Sequence, residues 1–167
     1  TNVYQFKYTI PRVFFTSEVK VIPEMENQLT VLRKSDFNPL ATAIIEKEVG
    51  VVEYNPDSQA NITFWSPDKI EIEVSAPIDQ FLVLSEIYYP EGWKITSHPD
   101  WEIHPVNTIL RGIHIPAGEH HIVMEFIPDD VRYGTFLTWG STVLLLLFIV
   151  VWINHKRKEN ESLAETI

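Results

Sequence analysis

Three aromatic side chains surround one short turn, and residues of this type can bind a sugar. Tyr88 and Tyr89 stand directly before Pro90, and Trp93 follows directly after Gly92. Tyr and Trp combine a broad apolar ring with one polar group. The C–H side of a sugar ring stacks on the face of such a ring. The cluster therefore indicates a contact site for a glycan. The alternative is a packed turn whose rings cap a hydrophobic core or dip toward a membrane interface.

Five of the six histidines raise the question of a metal site. The adjacent His120 and His121 would point to opposite faces of a strand, so they could not readily share one ion. His98 and His104 lie in a turn-rich segment and lack the close spacing typical of zinc ligands. His114 is the fifth of these histidines. The sequence therefore predicts no metal ion and no cofactor.

Paired carboxylates are the remaining candidates for chemistry. Asp129 and Asp130 could act as an acid and a base, but adjacent carboxylates at the end of a strand are more often solvated charges. Glu71 and Glu73 alternate with apolar residues and are expected on the solvated face of a strand. The sequence contains no Gly-rich phosphate loop, no Gly-x-Ser-x-Gly elbow and no His-Glu-x-x-His helix. No catalytic residue is assigned, and a hydrolytic enzyme is the least favoured function.

A long apolar run lies near the C-terminus. The sequence carries no charge from Tyr133 to Ile153. A helix of about 22 residues rises roughly 33 Å, which is enough to cross the hydrocarbon core of a bilayer. Trp139 and Trp152 lie near the two ends of the run, where aromatic belts form. The run therefore predicts a transmembrane helix over residues 132–155, with a buried core helix as the alternative.

The charges that flank this run predict its orientation. Lys156, Arg157 and Lys158 follow it, whereas two aspartates precede it. The positive-inside rule then predicts a cytoplasmic tail over residues 156–167 and a large N-terminal domain outside the cell membrane. The sequence opens at Thr1 without a signal peptide, and a lone C-terminal span does not readily export a large domain. We therefore expect a fragment of a longer protein with earlier transmembrane helices.

The composition of the chain argues against one class of binding partner. The 167 residues include 13 Lys and Arg against 23 Asp and Glu, a formal net charge of −10, and no cysteine. Nucleic-acid binding needs a basic surface, so we expect no nucleic-acid partner. Without cysteines an exported domain has no disulfides, and it must depend on a hydrophobic core.

Alternating apolar residues predict strands ahead of the membrane span. Residues 70–74 alternate with a period of two, whereas residues 81–85 are apolar on both faces, as in a covered central strand. Residues 116–119 (Pro-Ala-Gly-Glu) predict a hairpin turn between the last two strands. Short strands separated by Pro and Gly turns are typical of an antiparallel β-sandwich, which we place at residues 48–131.

Residues 1–47 have a different pattern. Pro23 to Leu32 has a helical spacing of apolar residues, and strand-like segments lie on either side of it. We expect a strand–helix–strand segment that packs on the sandwich. The predicted fold class is mainly β: an antiparallel β-sandwich with one short N-terminal helix, followed by a single C-terminal transmembrane α-helix.

Three stretches taken together resemble a known family. Residues 81–94 contain an apolar strand and the Tyr-Tyr-Pro turn before Gly-Trp, residues 106–120 contain Asn107, Arg111 and a Pro-Ala-Gly-Glu-His turn, and Phe-Ile-Pro precedes the membrane span. The combination resembles the C-terminal region of the YfhO-type bacterial membrane proteins, polytopic proteins related to the GT-C glycosyltransferases. The resemblance covers most of the chain, although Glu91 is inserted in the aromatic turn.

This resemblance implies a function in the cell envelope. The family is implied to move sugar from a lipid-linked donor to cell-envelope polymers, and the catalytic acidic residues of GT-C enzymes lie on an early outer loop that this chain lacks. The chain would then be the extracytoplasmic accessory domain and last membrane anchor of such an enzyme. Its partners would be the lipid bilayer, the upstream transmembrane helices, and a lipid-linked sugar or envelope polymer. The alternative is a membrane-anchored glycan-binding or scaffold module without enzymatic activity.

Two polar residues match family positions and join the three aromatic residues as candidates for glycan or polymer contact. They are Asn107 and Arg111. The Arg111 side chain would either pair with a carboxylate inside the protein or bind a phosphate of the polymer.

Overall fold

The computed structural model describes residues 10–50 and 52–164, apart from the side chains of Arg132 and of residues 157–164. The chain divides into a β-rich unit up to Ile127 and a helical unit from Pro128. The predicted fold class is confirmed: the chain is mainly β, with antiparallel sheets, few helices and one long apolar C-terminal helix. In chain order the elements are β1 (Val13–Phe15), β2 (Glu18–Val21), α1 (Met25–Leu32), β3 (Thr42–Ile45), β4 (Gln59–Trp65), β5 (Lys69–Ala76), β6 (Gln80–Ile87), β7 (Trp93–Ile95), β8 (His104–Val106), β9 (Leu110–Ile115), β10 (Gly118–Phe126) and α2 (Asp129–Ala164).

The first four-stranded sheet has the order β1-β6-β9-β8, with each neighbouring pair antiparallel. β6 lies inside this sheet, and its residues Phe81 to Leu84 are fully buried. The strand is apolar on both faces because other layers cover both faces of the sheet. The prediction of a covered central strand at this position is confirmed.

The second four-stranded sheet has the order β4-β5-β10-β7 and is also antiparallel. Ile70, Ile72 and Val74 of β5 are buried, whereas Glu71 and Glu73 between them remain accessible to solvent. The clean alternation seen in the sequence therefore corresponds to a strand with one face on the core and one face in water.

Two hydrophobic cores lie on opposite faces of β6. Leu82 and Leu84 belong to the larger core, between the two sheets, and Phe81 and Val83 belong to a smaller core on the other face. Burial of one such side chain stabilises the folded state by about 1.5–3 kcal/mol. The larger core also contains Ile70, Ile72, Val74, Ala76, Ile95, Ile113, Ile115, Ile122 and Met124, and the smaller core also contains Ala43, Ile45 and Val106.

The residues ahead of β4 contribute to more than one layer. β1 pairs with β6 and is therefore a strand of the sandwich, whereas β2 and β3 form a separate two-stranded parallel sheet connected by α1. Gln28 of α1 is buried and donates from Nε2 to the Ile22 carbonyl at 2.7 Å, which ties the helix to the end of β2. The segment predicted as one strand–helix–strand unit over residues 1–47 is thus shared between two layers. Its residues 1–9 lie outside the described residues.

The connection between β9 and β10 is a corner and not a hairpin. β9 bonds to β6 and β8 in the first sheet, whereas β10 bonds to β5 and β7 in the second. Gly118 begins β10 with a φ of 135°, a conformation that side chains with a Cβ rarely adopt. The Ala117 N–H donates to Asp79 Oδ1 at 2.8 Å and fixes the corner. The predicted hairpin is wrong because alternation identifies strands without identifying their partners.

The C-terminal unit consists of α2. Within the described part of the chain, one helix is long and apolar enough to span a membrane, and it runs over Asp129–Lys156. None of its apolar window is buried among the described residues. Trp139 and Trp152 are exposed. The helix continues past Lys156 to Ala164, while the side chains of Arg157 and Lys158 lie outside the described residues, as does the end of the predicted 156–167 tail.

Candidate functional site

A cleft lined by aromatic rings opens on the β-rich unit. It has a volume of about 540 Å³ and is lined by four rings, those of Tyr88, Tyr89, Trp93 and Trp101. The two tyrosines follow β6, Trp93 begins β7, and Trp101 belongs to the connection between β7 and β8. The structure therefore brings together the three aromatic residues that the sequence singled out and adds a fourth.

Arg111 supports the Trp93 ring from inside the sandwich. The guanidinium carbon of Arg111 lies 4.0 Å from the centre of the Trp93 ring. Arg111 is only 4 % exposed, and its Nε donates to the Ile87 carbonyl at 2.8 Å. A buried guanidinium stacked on an indole is a stabilising cation–π contact and restricts the ring to one orientation. Trp93 therefore presents a fixed surface to the cleft.

The burial of Arg111 carries an electrostatic cost. Burial lowers the pKa of Arg111 to about 10, and the nearby Glu86 acts in the opposite direction. Nη1 is buried and has no hydrogen-bond partner among the described residues. Burying a cation that lacks a hydrogen-bond partner costs free energy. The contact with the Trp93 ring offsets part of that cost. Arg111 forms no ion pair in the described part of the chain, and its burial keeps it from a polymer phosphate.

Phe126 and Gly92 also hold the Trp93 ring in place. The Phe126 ring lies 5.6 Å from the Trp93 ring and 5.9 Å from the Tyr89 ring, tilted in both cases. A Cβ on residue 92 would overlap the Phe126 ring, so this close approach requires glycine. Gly92 in the aromatic turn therefore allows the three rings to assemble.

Trp101 is held by two histidines. The His98 ring stacks on the Trp101 ring with centroids 4.1 Å apart, and the His120 ring meets its edge at 5.1 Å. His120 is fixed in turn by a contact of 2.9 Å between its Nε2 and the Pro116 carbonyl. His121 points to the other face of β10, where its Nδ1 lies 2.7 Å from Glu73 Oε1. The two adjacent histidines are therefore separated by the strand, as the sequence predicted.

Glu102 contributes a carboxylate to the lining of the cleft. It lines the 540 Å³ cleft and also two adjoining cavities of about 350 Å³ and 290 Å³. Burial raises the pKa of Tyr88, and the charges of Glu102 and Glu46 raise it further. The cleft therefore contains the carboxylate of Glu102 and the ammonium group of Lys94, while the buried cation of Arg111 lies behind the Trp93 ring.

Asn107 lies away from the cleft. It is 8 % exposed, its Oδ1 accepts from the Ile44 N–H at 3.0 Å, and its own N–H donates to the Ile44 carbonyl at 2.9 Å. Both Asn107 and Thr108 have positive φ, at 49° and 72°, which suits the tight connection between β8 and β9. Asn107 therefore clamps β3 to the first sheet, a position that only the three-dimensional structure reveals.

The arrangement is suited to binding. Ser97 Oγ lies 2.8 Å from His98 Nδ1, but the same oxygen accepts from the Val123 N–H at 2.9 Å, so the pair anchors a turn. Among the described residues, no group of three or more His, Asp or Glu side chains could hold a metal ion. Comparison of the chain with protein-family models, curated proteins and solved structures finds no match. The interpretation of the cleft therefore rests on its own geometry.

Lowering the pH below neutral should destabilise the β-rich unit through His98 and His104. Burial lowers the pKa of both imidazoles below the ordinary value of 6.5. The unfolded chain then takes up these protons first as the pH falls, so stability is complete above the unfolded pKa and declines as the pH drops toward the folded values. Urea unfolding followed from about pH 8 to about pH 5 measures this decline.

The variant that combines His98→Gln and His104→Gln should show a shallower decline over the same range. His155→Gln is the matched control because it lies in the helical unit. An unchanged pH dependence in the double variant would contradict the role of these two imidazoles.

Proposed function

We propose that this chain is a glycan-binding domain anchored in a membrane. The observation that carries the proposal is the aromatic cleft, where Tyr88, Tyr89, Trp93 and Trp101 line one cavity together with the carboxylate of Glu102. Binding sites for small polar ligands combine apolar rings with a few placed polar groups. The rings offer stacking surfaces to the C–H faces of a sugar, and the carboxylate accepts hydrogen bonds from its hydroxyl groups.

We further propose that the domain is an extracytoplasmic accessory domain and the last membrane anchor of a polytopic GT-C-like glycosyltransferase. The support is the resemblance of three stretches to the YfhO-type proteins, together with the apolar helix α2. The basic residues Lys156 to Lys158 support a cytoplasmic C-terminus and an external β-rich unit. In this proposal the cleft holds a lipid-linked sugar or an envelope polymer, while upstream transmembrane helices of the parent protein perform the transfer.

A second candidate is a membrane-anchored binding or scaffold module without enzymatic activity. The observation that favours it is the origin of the cleft, because every lining residue comes from residues 88–103 of a single unit. Binding would therefore need no other part of a larger protein. Purification of the natural full-length protein, followed by an assay of sugar transfer from a lipid-linked donor, separates the two candidates.

Substitution of a cleft aromatic residue should weaken glycan binding, whereas substitution of an aromatic residue outside the cleft should not. Trp101→Ala should weaken the binding of a chitin tetramer at least about tenfold, the loss typical of an aromatic anchor. Tyr89→Ala should weaken it by a smaller factor, because Tyr89 is half exposed. The measurement is isothermal titration of the full chain in a polyoxyethylene detergent, which contains no sugar.

Trp65→Ala is the matched control for Tyr89→Ala. The two side chains are exposed to the same degree, 47 % and 48 %, but Trp65 lies at the end of β4 and stacks on Arg12 outside the cleft. Its removal should leave the affinity unchanged. Absence of chitin binding by the unaltered protein, or equal losses for Tyr89→Ala and Trp65→Ala, would contradict the proposed site. Circular dichroism establishes that each variant is folded.

A further inference from the structure

The walls around the cleft carry an excess of negative charge. Glu102 lines three adjoining cavities at once, and each of these cavities has further charged residues. The Glu102 side chain forms no hydrogen bond or ion pair with the part of the chain that the structure describes. The acidic residues that line the three cavities are Glu46, Glu48, Asp100 and Glu102, and the lysines are Lys47 and Lys94.

Each lysine lines one of these cavities. Lys94 lines the aromatic cleft together with Glu102, and it lies opposite Glu125 in the register of β7 and β10. Lys47 lines the neighbouring 350 Å³ cavity and not the aromatic cleft. Glu102 is therefore the charged group that the cleft shares with both neighbouring cavities.

The Trp93 ring is suited to a neutral sugar ring. One face of the Trp93 indole is already occupied by the buried guanidinium of Arg111, at 4.0 Å. A second cation on the Trp93 ring would be repelled by Arg111, whereas the C–H face of a sugar would not. A ligand with one positive charge and one apolar ring face would therefore bind in a single orientation, with its charge toward Glu102.

We propose that the cleft selects glycans that carry a free amino group. The sugar ring lies against Trp93 and Trp101, and the ammonium group pairs with the Glu102 carboxylate. A protonated amine supplies three hydrogen-bond donors and a positive charge, whereas an acetylated amine supplies a single neutral N–H. This inference deepens the proposed function and rests on it.

Two oligosaccharides that differ only at the amine test the inference. The chitosan tetramer has free amines, and the chitin tetramer has the same sugar backbone with every amine acetylated. We expect the full chain, in polyoxyethylene detergent micelles, to bind the chitosan tetramer about fivefold more tightly at low salt, the upper end of what one exposed ion pair contributes. The preference should shrink as the salt concentration rises from about 10 mM to about 0.3 M.

Glu102→Gln should abolish the preference for the chitosan tetramer. Glu53→Gln is the matched control, because it removes the same charge from an exposed residue that lines none of the three cavities. It should retain the preference, which separates the role of Glu102 from the general attraction of a polycation to an acidic protein.

The outcomes distinguish this inference from the function on which it rests. Equal affinities for the two tetramers in the unaltered protein would overturn the amino-sugar inference while leaving glycan binding intact. Equal preferences in Glu102→Gln and Glu53→Gln would overturn it in the same way. Failure of both tetramers to bind the unaltered protein would overturn the proposed function itself, and the inference with it.

Discussion

Gly112→Ala should lower the free energy of unfolding of the β-rich unit by about 3 kcal/mol, the upper end of the usual cost of overpacking. Gly112 lies within β9, where an added Cβ would overlap the Phe81 ring and a methyl group of Val106. Phe81 and Val106 are both fully buried, so neither side chain can move aside without disturbing the smaller core. Urea denaturation of the full chain in detergent, followed by circular dichroism, measures the loss.

Two further variants identify the cause of the loss at Gly112. Gly134→Ala is the control, because a Cβ there meets nothing within 4 Å. Val106→Ala should cost less in the Gly112→Ala background than in the unaltered protein, since it removes one of the groups that the new methyl overlaps. Additive costs for Gly112→Ala and Val106→Ala would contradict an overlap between the two side chains.

Asn107→Ala should lower the free energy of unfolding by about 2–4 kcal/mol. The substitution removes the acceptor of the buried Ile44 N–H, and a buried donor without a partner costs about 1–3 kcal/mol. It also places alanine at a φ of 49°, a left-handed conformation that costs roughly 1 kcal/mol more. The same denaturation experiment measures the loss.

A series at residue 107 separates these two contributions. Asn107→Gly relieves the backbone strain but still lacks the acceptor, so it should lose less than Asn107→Ala. Asn107→Asp keeps an oxygen at the position that accepts from the Ile44 N–H and should recover part of the loss, within the cost of burying its charge. Equal stability of the glycine and alanine variants would show that the left-handed conformation contributes nothing.

Much of the fold follows from local patterns. The alternation in β5 predicts a strand with one wet face, and the uninterrupted apolar run in β6 predicts a strand covered on both faces. Both predictions are confirmed because burial acts on each strand separately and leaves its period in the sequence. The apolar helix α2 is visible for the same reason, since its length and composition are local properties.

The sequence does not show which distant strands pair with each other. The corner between β9 and β10 has the composition of a hairpin, and only the hydrogen bonds show that the two strands belong to different sheets. A Pro-Gly turn limits the local backbone and leaves the partner of each strand undetermined.

The sequence predicts only part of the candidate site, because only some of its residues lie close together along the chain. Tyr88, Tyr89 and Trp93 cluster within one turn of the sequence, so they could be identified together. Trp101 and Glu102 reach the same cleft through a separate connection, and the only local signal was a tryptophan in a turn-rich segment. The stacking of Arg111 on Trp93 joins two sheets, and no spacing rule along the chain predicts it.

β6 is apolar on both faces, and this affects which interactions fix its register in the first sheet. In a strand with one face in water, a shift of the register by one residue moves charged side chains into the interior. The cost of burying them disfavours the shifted register. A shift over residues 81–84 would exchange Leu82 and Leu84 with Phe81 and Val83, and none of these four residues carries a charge. The register of β6 must therefore depend on the fit of side chains, and the Phe81 ring fills the space that the missing side chain of Gly112 leaves open.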